Sequence, residues 1–210
     1  MKKTFVLIVL FVLPLVAYLF FASGVNNFGR LPVLTNDVGA INFGGKEGIL
    51  KEKITILGFL GTDVAFKKTN AFNLNQKIYK PFYEFHDFQM VMVMPKGTEA
   101  KVATLKKELS ELADIKNWKF IFGSEAEIKT FFSQLKTNVT LDQNLSTPYV
   151  FIIDKDSNLR GRTDDEDEGT KYGFNATSVA ELNNKMEDDV KIILAEYRSA
   201  LKKNNARQAK

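Results

Sequence analysis

Thioether sulfurs recur at every second residue in Met90, Met92 and Met94, and the single histidine of the chain, His86, stands just upstream. Thioethers suit cuprous copper and imidazole suits several transition metals. This run is therefore the one constellation whose residue types and spacing could hold a soft metal. Alternation along a strand would put all three methionines on one face of a sheet. The same pattern serves packing, because methionine fills irregular gaps between a sheet and its covering helices. A lone histidine is more often a surface or capping residue than a ligand. Packing is the simpler account, so no metal ligand is assigned to Met90, Met92, Met94 or His86.

Other chemistry is thinly represented. No serine can be matched to His86 as a triad nucleophile. General acid or base candidates are Asp63, Lys67, Lys68 and His86, and each would need a desolvated pocket. The acidic run Asp164 to Glu168, DDEDE, could bind a hard cation such as calcium, but its spacing is not that of a calcium loop. It reads as a solvated loop. Asn138-Val139-Thr140 and Asn175-Ala176-Thr177 match the glycosylation acceptor pattern, which also arises by chance. The chain has no cysteine, which excludes thiol–disulfide exchange. No catalytic residue and no cofactor are assigned.

The elements that would position these residues follow from hydrophobic patterning. Ile54 to Leu60 is apolar and β-branched with no internal charge, as a strand covered on both faces should be. Asn70 is a possible N-cap for a following helix to Phe85, with Pro81 disturbing its last turn. Phe88 to Met94 is a second strand, and Glu99 to Leu112 an amphipathic helix. Trp118 to Phe122 is a third strand, followed by a Ser124/Glu127 capping box and a helix burying Ile128, Phe131, Phe132 and Leu135. Tyr149 to Ile153 and Leu159 to Arg162 form a hairpin around Asp154 to Asn158. A Ser178/Glu181 capping box opens a last helix with Val179, Leu182, Met186, Val190, Ile193, Tyr197 and Leu201 on one stripe. Strands alternating with helices predict parallel strands with right-handed crossovers, plus an antiparallel pair, in an α/β three-layer sandwich.

Composition agrees with one globular unit: of 210 residues, 45% are hydrophobic and 26% charged. The formal charge of +4 owes much to Lys2, Lys3, Lys202, Lys203, Arg207 and Lys210 at the ends. Without basic residues interleaved with aromatics on a folded face, nucleic acid is not expected as a partner. Phe5 to Ala22 is an uninterrupted apolar stretch of about 18 residues, long enough to cross a bilayer as a helix. Lys2 and Lys3 before it favour a cytoplasmic N-terminus with the remainder exported. Ala22-Ser23-Gly24 would also serve as a signal-peptide cleavage site. The expected organisation is an anchor or signal over 1–23, a tether and extension over 24–50 containing Leu31-Pro32-Val33-Leu34, a folded domain over 51–203, and a tail over 204–210.

These features together resemble the thioredoxin-like superfamily, and within it the SCO/SenC group of membrane-anchored, copper-handling factors for respiratory oxidase assembly. An anchor, an LPVL segment and a strand ending near Phe59 match the start of that pattern. Tyr149 to Asp156 resembles its late strand and Asp-x-x-Gly turn, and Glu196-Tyr197 lies in a similar closing helix. Aligning the family's two-cysteine motif on Phe59 places Thr62 and Phe66 at the thiol positions, and the region of its ligand histidine, Leu141 to Thr147, offers only Gln143 and Asn144. The resemblance thus implies a thioredoxin-like three-layer α/β/α sandwich with a central mixed sheet, preceded by a transmembrane helix, without redox or copper residues. It implies a binding or assembly module, with a protein partner in respiratory-chain assembly, held in the inner membrane by one span and exposing its C-terminal domain to the periplasm. Thr147-Pro148 resembles the Thr-Pro of thioredoxins, which implies a cis Pro148 facing Thr62 to Phe66. The alternatives are an enzyme using other groups on this fold and a structural envelope protein.

Overall fold

The computed structural model describes residues 10–16, 29–45 and 48–208. Most of the expected anchor over 1–23 lies outside the described residues, and among these no helix is long and apolar enough to cross a membrane.

From residue 29 onward the chain builds a seven-stranded mixed sheet. Strands β1 (Val33–Thr35), β6 (Leu159–Arg160), β5 (Tyr149–Ile153), β2 (Ile54–Phe59), β3 (Phe88–Pro95) and β4 (Trp118–Gly123) follow in that spatial order, and β9 (Phe174–Asn175) pairs with β5. β2, β3 and β4 are parallel, whereas β5 runs antiparallel to β2 and to β6. Every residue of β2 and β3 is buried, which explains why both read as continuous apolar runs. Gly58 lets that core close, because a Cβ there would stand 2.7 Å from the Met92 sulfur.

One face is covered by helix α1 (Val64–Leu74), a π-helical turn at Asn75–Tyr79 and the short helix α2 (Lys80–Phe82), with α3 (Glu99–Ser110) beside them. The same face carries α5 (Val179–Glu181), a second π turn (Leu182–Met186) and α6 (Glu187–Gln208). Ile54, Ile56, Met90, Met92, Met94 and Ile152 face this layer. Against the other face lie α4 (Glu125–Gln134) and the extension that carries Val38, Ile41, Phe43 and Leu50. The expected three layers are present, and Val38, Ile41, Phe43 and Leu50, from the segment 24–50 read as a tether and extension, supply part of one of them.

Two local expectations are corrected. The first helix begins at Val64 and not at Asn70: Asp63 is the N-cap, accepting the Phe66 N–H at 3.3 Å, while Asn70 is buried inside the helix. An aspartate just after Gly61-Thr62 was the available signal. Val179 is exposed at the start of its helix, whereas Leu182, Met186, Val190 and Ile193 are buried. The hairpin turn forms as read, with Asp154 Oδ1 accepting the N–H groups of Asp156 and Asn158. Ser157, at φ +62°, stands where the resembled turn has glycine.

Candidate functional site

The end of β2 gives way to α1 through a loop held by residues 144–147. Leu60 bridges to Ser146, and the Thr147 N–H donates to the Phe59 carbonyl at 3.1 Å. Gly61 adopts φ +71°, and a Cβ there would lie 2.4 Å from the Asn144 carbonyl oxygen and 2.6 Å from Ser146 Cβ. Only glycine accommodates both the backbone angle and the close approach. Next along the chain, the Thr62 N–H donates to the Asn144 carbonyl at 2.9 Å, and the Thr62 hydroxyl to Asn144 Oδ1 at 3.2 Å. Sequence reasoning placed Thr62 and Asn144 in two distant segments; the fold joins them.

Phe66, in the first turn of α1, is 76% exposed. The Lys67 ammonium stands 5.6 Å from its ring centroid, a cation–π distance. Lys101 reaches across from α3 to donate to the Thr62 carbonyl at 3.0 Å. Asp142 closes the turn beneath the loop, accepting from the Ser146 hydroxyl and from the N–H groups of Asn144 and Ser146. Burial works to raise the Asp142 pKa, but those hydrogen bonds outweigh it and hold the group below the usual carboxylate range. Its charge is committed to the turn. The loop is thus a neutral hydrogen-bonded pair flanked by an exposed aromatic ring and two lysines. It can make contacts, and it offers no thiolate and no imidazole.

Pro148 does not stand as expected. The Thr147–Pro148 bond is trans, for no cis peptide bond occurs among the described residues. The trans form keeps this segment extended, so that Thr147 bonds to β2 while the Pro148 carbonyl accepts the Ala176 N–H at 2.8 Å. Residues that meet Thr62 are Asn144 and Lys101. Pro148 instead helps line a cleft of about 340 Å³ with Thr147, Tyr149, Glu168 and Tyr172, in which neither Thr62 nor Phe66 takes part.

The methionine constellation is not assembled either. Met90, Met92 and Met94 do share one face and are fully buried among helix side chains. His86 is 93% exposed and bonded through Nδ1 to Asp87 at 2.7 Å. Asp87 also pairs with Lys155 and Lys53, and the Lys155 ammonium lowers its pKa to about 2. His86 therefore belongs to a surface ionic cluster. Among the acid–base candidates, Asp63 caps α1 and Lys68 is paired with Glu108 at 2.7 Å. Neither sits in a desolvated pocket.

The acidic run is exposed at Asp164, Glu166, Asp167 and Glu168, as a solvated loop should be, and only Asp165 departs from that reading. Asp165 is buried, and Lys185 binds both its oxygens at 2.9 and 2.8 Å. This forms part of a hairpin, β7 (Arg162–Asp165) with β8 (Gly169–Lys171), fastened to the last helical layer. Arg162 makes a two-pronged bond to Asp189 at 2.8 and 2.9 Å. Fully buried Lys171 is held by Glu168 and Glu181. Burial acts to lower the Lys171 pKa, but the two carboxylates outweigh it and raise it above the usual lysine range. Asp165 and Glu168 thus help to fasten a hairpin whose turn, residues 166–168, stays exposed.

No family model matches this sequence, and no curated protein aligns with it. Solved structures do match. BsSco, described as a member of the Sco family of cytochrome c oxidase assembly proteins with a disulfide switch, is 17% identical, with a TM-score of 0.52 over 78% of this chain and 97% of that one. A SCO1/SenC family lipoprotein from Bacillus anthracis str. Ames is 21% identical, with a TM-score of 0.51 over 78% of this chain and 98% of that one. The chain shares their fold, a thioredoxin-like mixed α/β arrangement.

Proposed function

We propose that this protein is an extracytoplasmic, membrane-anchored member of the SCO/SenC lineage that has lost its redox and copper residues and works as a binding module in respiratory oxidase assembly. The observation that carries this reading is the Thr62–Asn144 pair. The position aligned with a thiol and the segment aligned with the ligand histidine are in contact, but they meet through neutral hydrogen-bonding groups. Phe66, at the second thiol position, presents an exposed ring beside Lys67. Exposed aromatic rings with adjacent cations are the kind of anchor that protein interfaces use. The apolar stretch Phe5 to Ala22 supplies the attachment, and its leading lysines set the orientation.

The test is crosslinking in native cells with a photo-reactive phenylalanine in place of Phe66, and with the same group in place of Lys129 on α4 as control. A covalent adduct with an oxidase subunit from position 66 and none from position 129 is expected. Equal adducts from both positions, or no oxidase subunit from either, would overturn the proposal.

A further inference from the structure

We infer that the cleft beside Pro148 is a second binding site, one that takes a neutral sugar. Neither Thr62 nor Phe66 lines it, so it stands or falls independently of the assembly reading above.

Three segments distant in sequence close on this cleft: 138–140, 147–149, and the hairpin side with Glu168, Tyr172 and Gly173. Its volume of about 340 Å³ lies at the small end of the range for small-molecule sites and suits one sugar ring or a disaccharide. Gly173 brings the hairpin side in, because a Cβ there would meet the Phe151 ring at 3.0 Å and the Val150 carbonyl oxygen at 3.1 Å. The next two residues, Phe174 and Asn175, then pair with Val150 and Tyr149. The ion-paired staple that fastens the hairpin to the helix layer thus holds one wall of the cleft, and the start of β5 holds the other.

The groups left open there are of one kind. Tyr149 and Tyr172 are half-buried, with their rings packed against the core. The bonds that side chains of these segments make within the protein are those of Thr137, Thr147 and Glu168, and among the described residues the Tyr149, Tyr172 and Thr140 hydroxyls and the Asn138 amide join in none. Glu168 gives Oε1 to Lys171 and keeps Oε2 free. It is the one ionised side chain lining the cleft, and Lys171 offsets its charge. The cleft therefore offers no cation to an anion and little net charge to a cation. A peptide added as a strand would need open backbone donors. Here the Val139 N–H goes to the Thr137 hydroxyl, the Thr147 N–H to Phe59 and the Tyr149 N–H to the Thr147 hydroxyl, while Pro148 has none. What remains suits a ring of hydroxyls, which donate to carboxylate and amide oxygens and accept from phenols and the amide N–H. The C–H face of such a ring also fits the electron-rich face of an aromatic side chain. Tyrosines that lay an apolar body on the core and keep a polar tip in water are the plain structural account. That account does not call for two of them to meet an amide and a carboxylate in one cleft.

The full chain, isotope-labelled for amide NMR, is held in a zwitterionic detergent, since one with a sugar headgroup would compete. Glucose, galactose, N-acetylglucosamine, cellobiose and the chitin disaccharide are the probes, with trialanine for comparison. Saturable shifts confined to the amides of 138–140, Tyr149, Tyr172 and Gly173 are expected from at least one sugar, with a Kd of about 1 mM or tighter. The Asn138→Ala/Tyr172→Phe variant removes two hydrogen-bonding groups and keeps both rings against the core. It should weaken that sugar about tenfold or more, with amides elsewhere at their parent positions. No shift from any sugar, shifts scattered over the surface, trialanine matching or exceeding the sugars, or a variant that binds as tightly as the parent overturns the inference.

Discussion

At the end of β2, Thr62 and Asn144 meet through one backbone and one side-chain hydrogen bond, and the neighbouring Phe66 lies open to solvent. At the β7–β8 hairpin, Arg162, Asp165, Lys171, Lys185 and Asp189 are drawn into a dense set of ion pairs, three of them with exposures below a tenth. Raised lysine pKa values at Lys171 and Lys185 belong to this second region. Desolvated, perturbed groups often mark catalytic centres, but structural networks perturb them as well. Here the perturbed lysines fasten a hairpin to a helix layer, while the loop after β2 presents an exposed ring beside two lysines. The contrast separates what keeps this fold together from what it leaves open to solvent.

The hairpin region should be the costlier one to disturb. Arg162→Met leaves Asp189, only 3% exposed, with a buried carboxylate and no counterion. Breaking such a pair costs about 3 to 5 kcal/mol, and the lower end is expected because Arg162 is itself a quarter exposed. Urea unfolding of the full chain in detergent would read this as a lower midpoint. Arg162→Met/Asp189→Leu should recover most of the loss, since removing both partners removes the stranded charge. A single variant as stable as the parent would mean that the staple contributes nothing.

Gly61→Ala tests the loop at its most constrained residue. A left-handed angle at a non-glycine residue costs about 1 to 2 kcal/mol, and the new Cβ must also push back the Asn144 carbonyl, 2.4 Å away. A total of about 2 to 3 kcal/mol is expected. Faster amide exchange should be confined to Thr62 and Thr147, whose N–H groups hold the two segments together. Exchange that rises equally across the sheet would show that the loop is not a local unit.

How far each region could be read from the residues follows from the range of the forces involved. β2 and β3 declared themselves because a strand buried on both faces needs an unbroken apolar run, and the Ser124/Glu127 capping box is a local signal that the structure reproduces. The staple was hidden because its partners are defined by docking: Asp165 reads as a loop acid until Lys185, from the following helix layer, is brought to it. Covering of the second sheet face by Val38, Ile41 and Leu50 was equally illegible, since the Gly- and Asn-rich segment around them carries no period. The candidate site was half legible. Alignment on Phe59 singled out Thr62 and the segment holding Asn144, but not the bond between them, and the expected cis Pro148 yielded to backbone pairing that a trans bond continues.

The smallest effect should come from Thr62→Val, which keeps the side-chain shape and deletes only the hydroxyl bond to Asn144. Both residues are exposed, so water replaces much of what is lost, and a net cost of about 0.5 kcal/mol is expected. The Thr62 N–H bond to the Asn144 carbonyl survives the substitution, so the loop should keep its course and the photo-adduct from position 66 its yield. A loss above about 1.5 kcal/mol would exceed the usual net worth of one such bond. It would mean that the side-chain pair, and not the backbone ladder from Phe59 to Thr62, sets the shape that Phe66 presents.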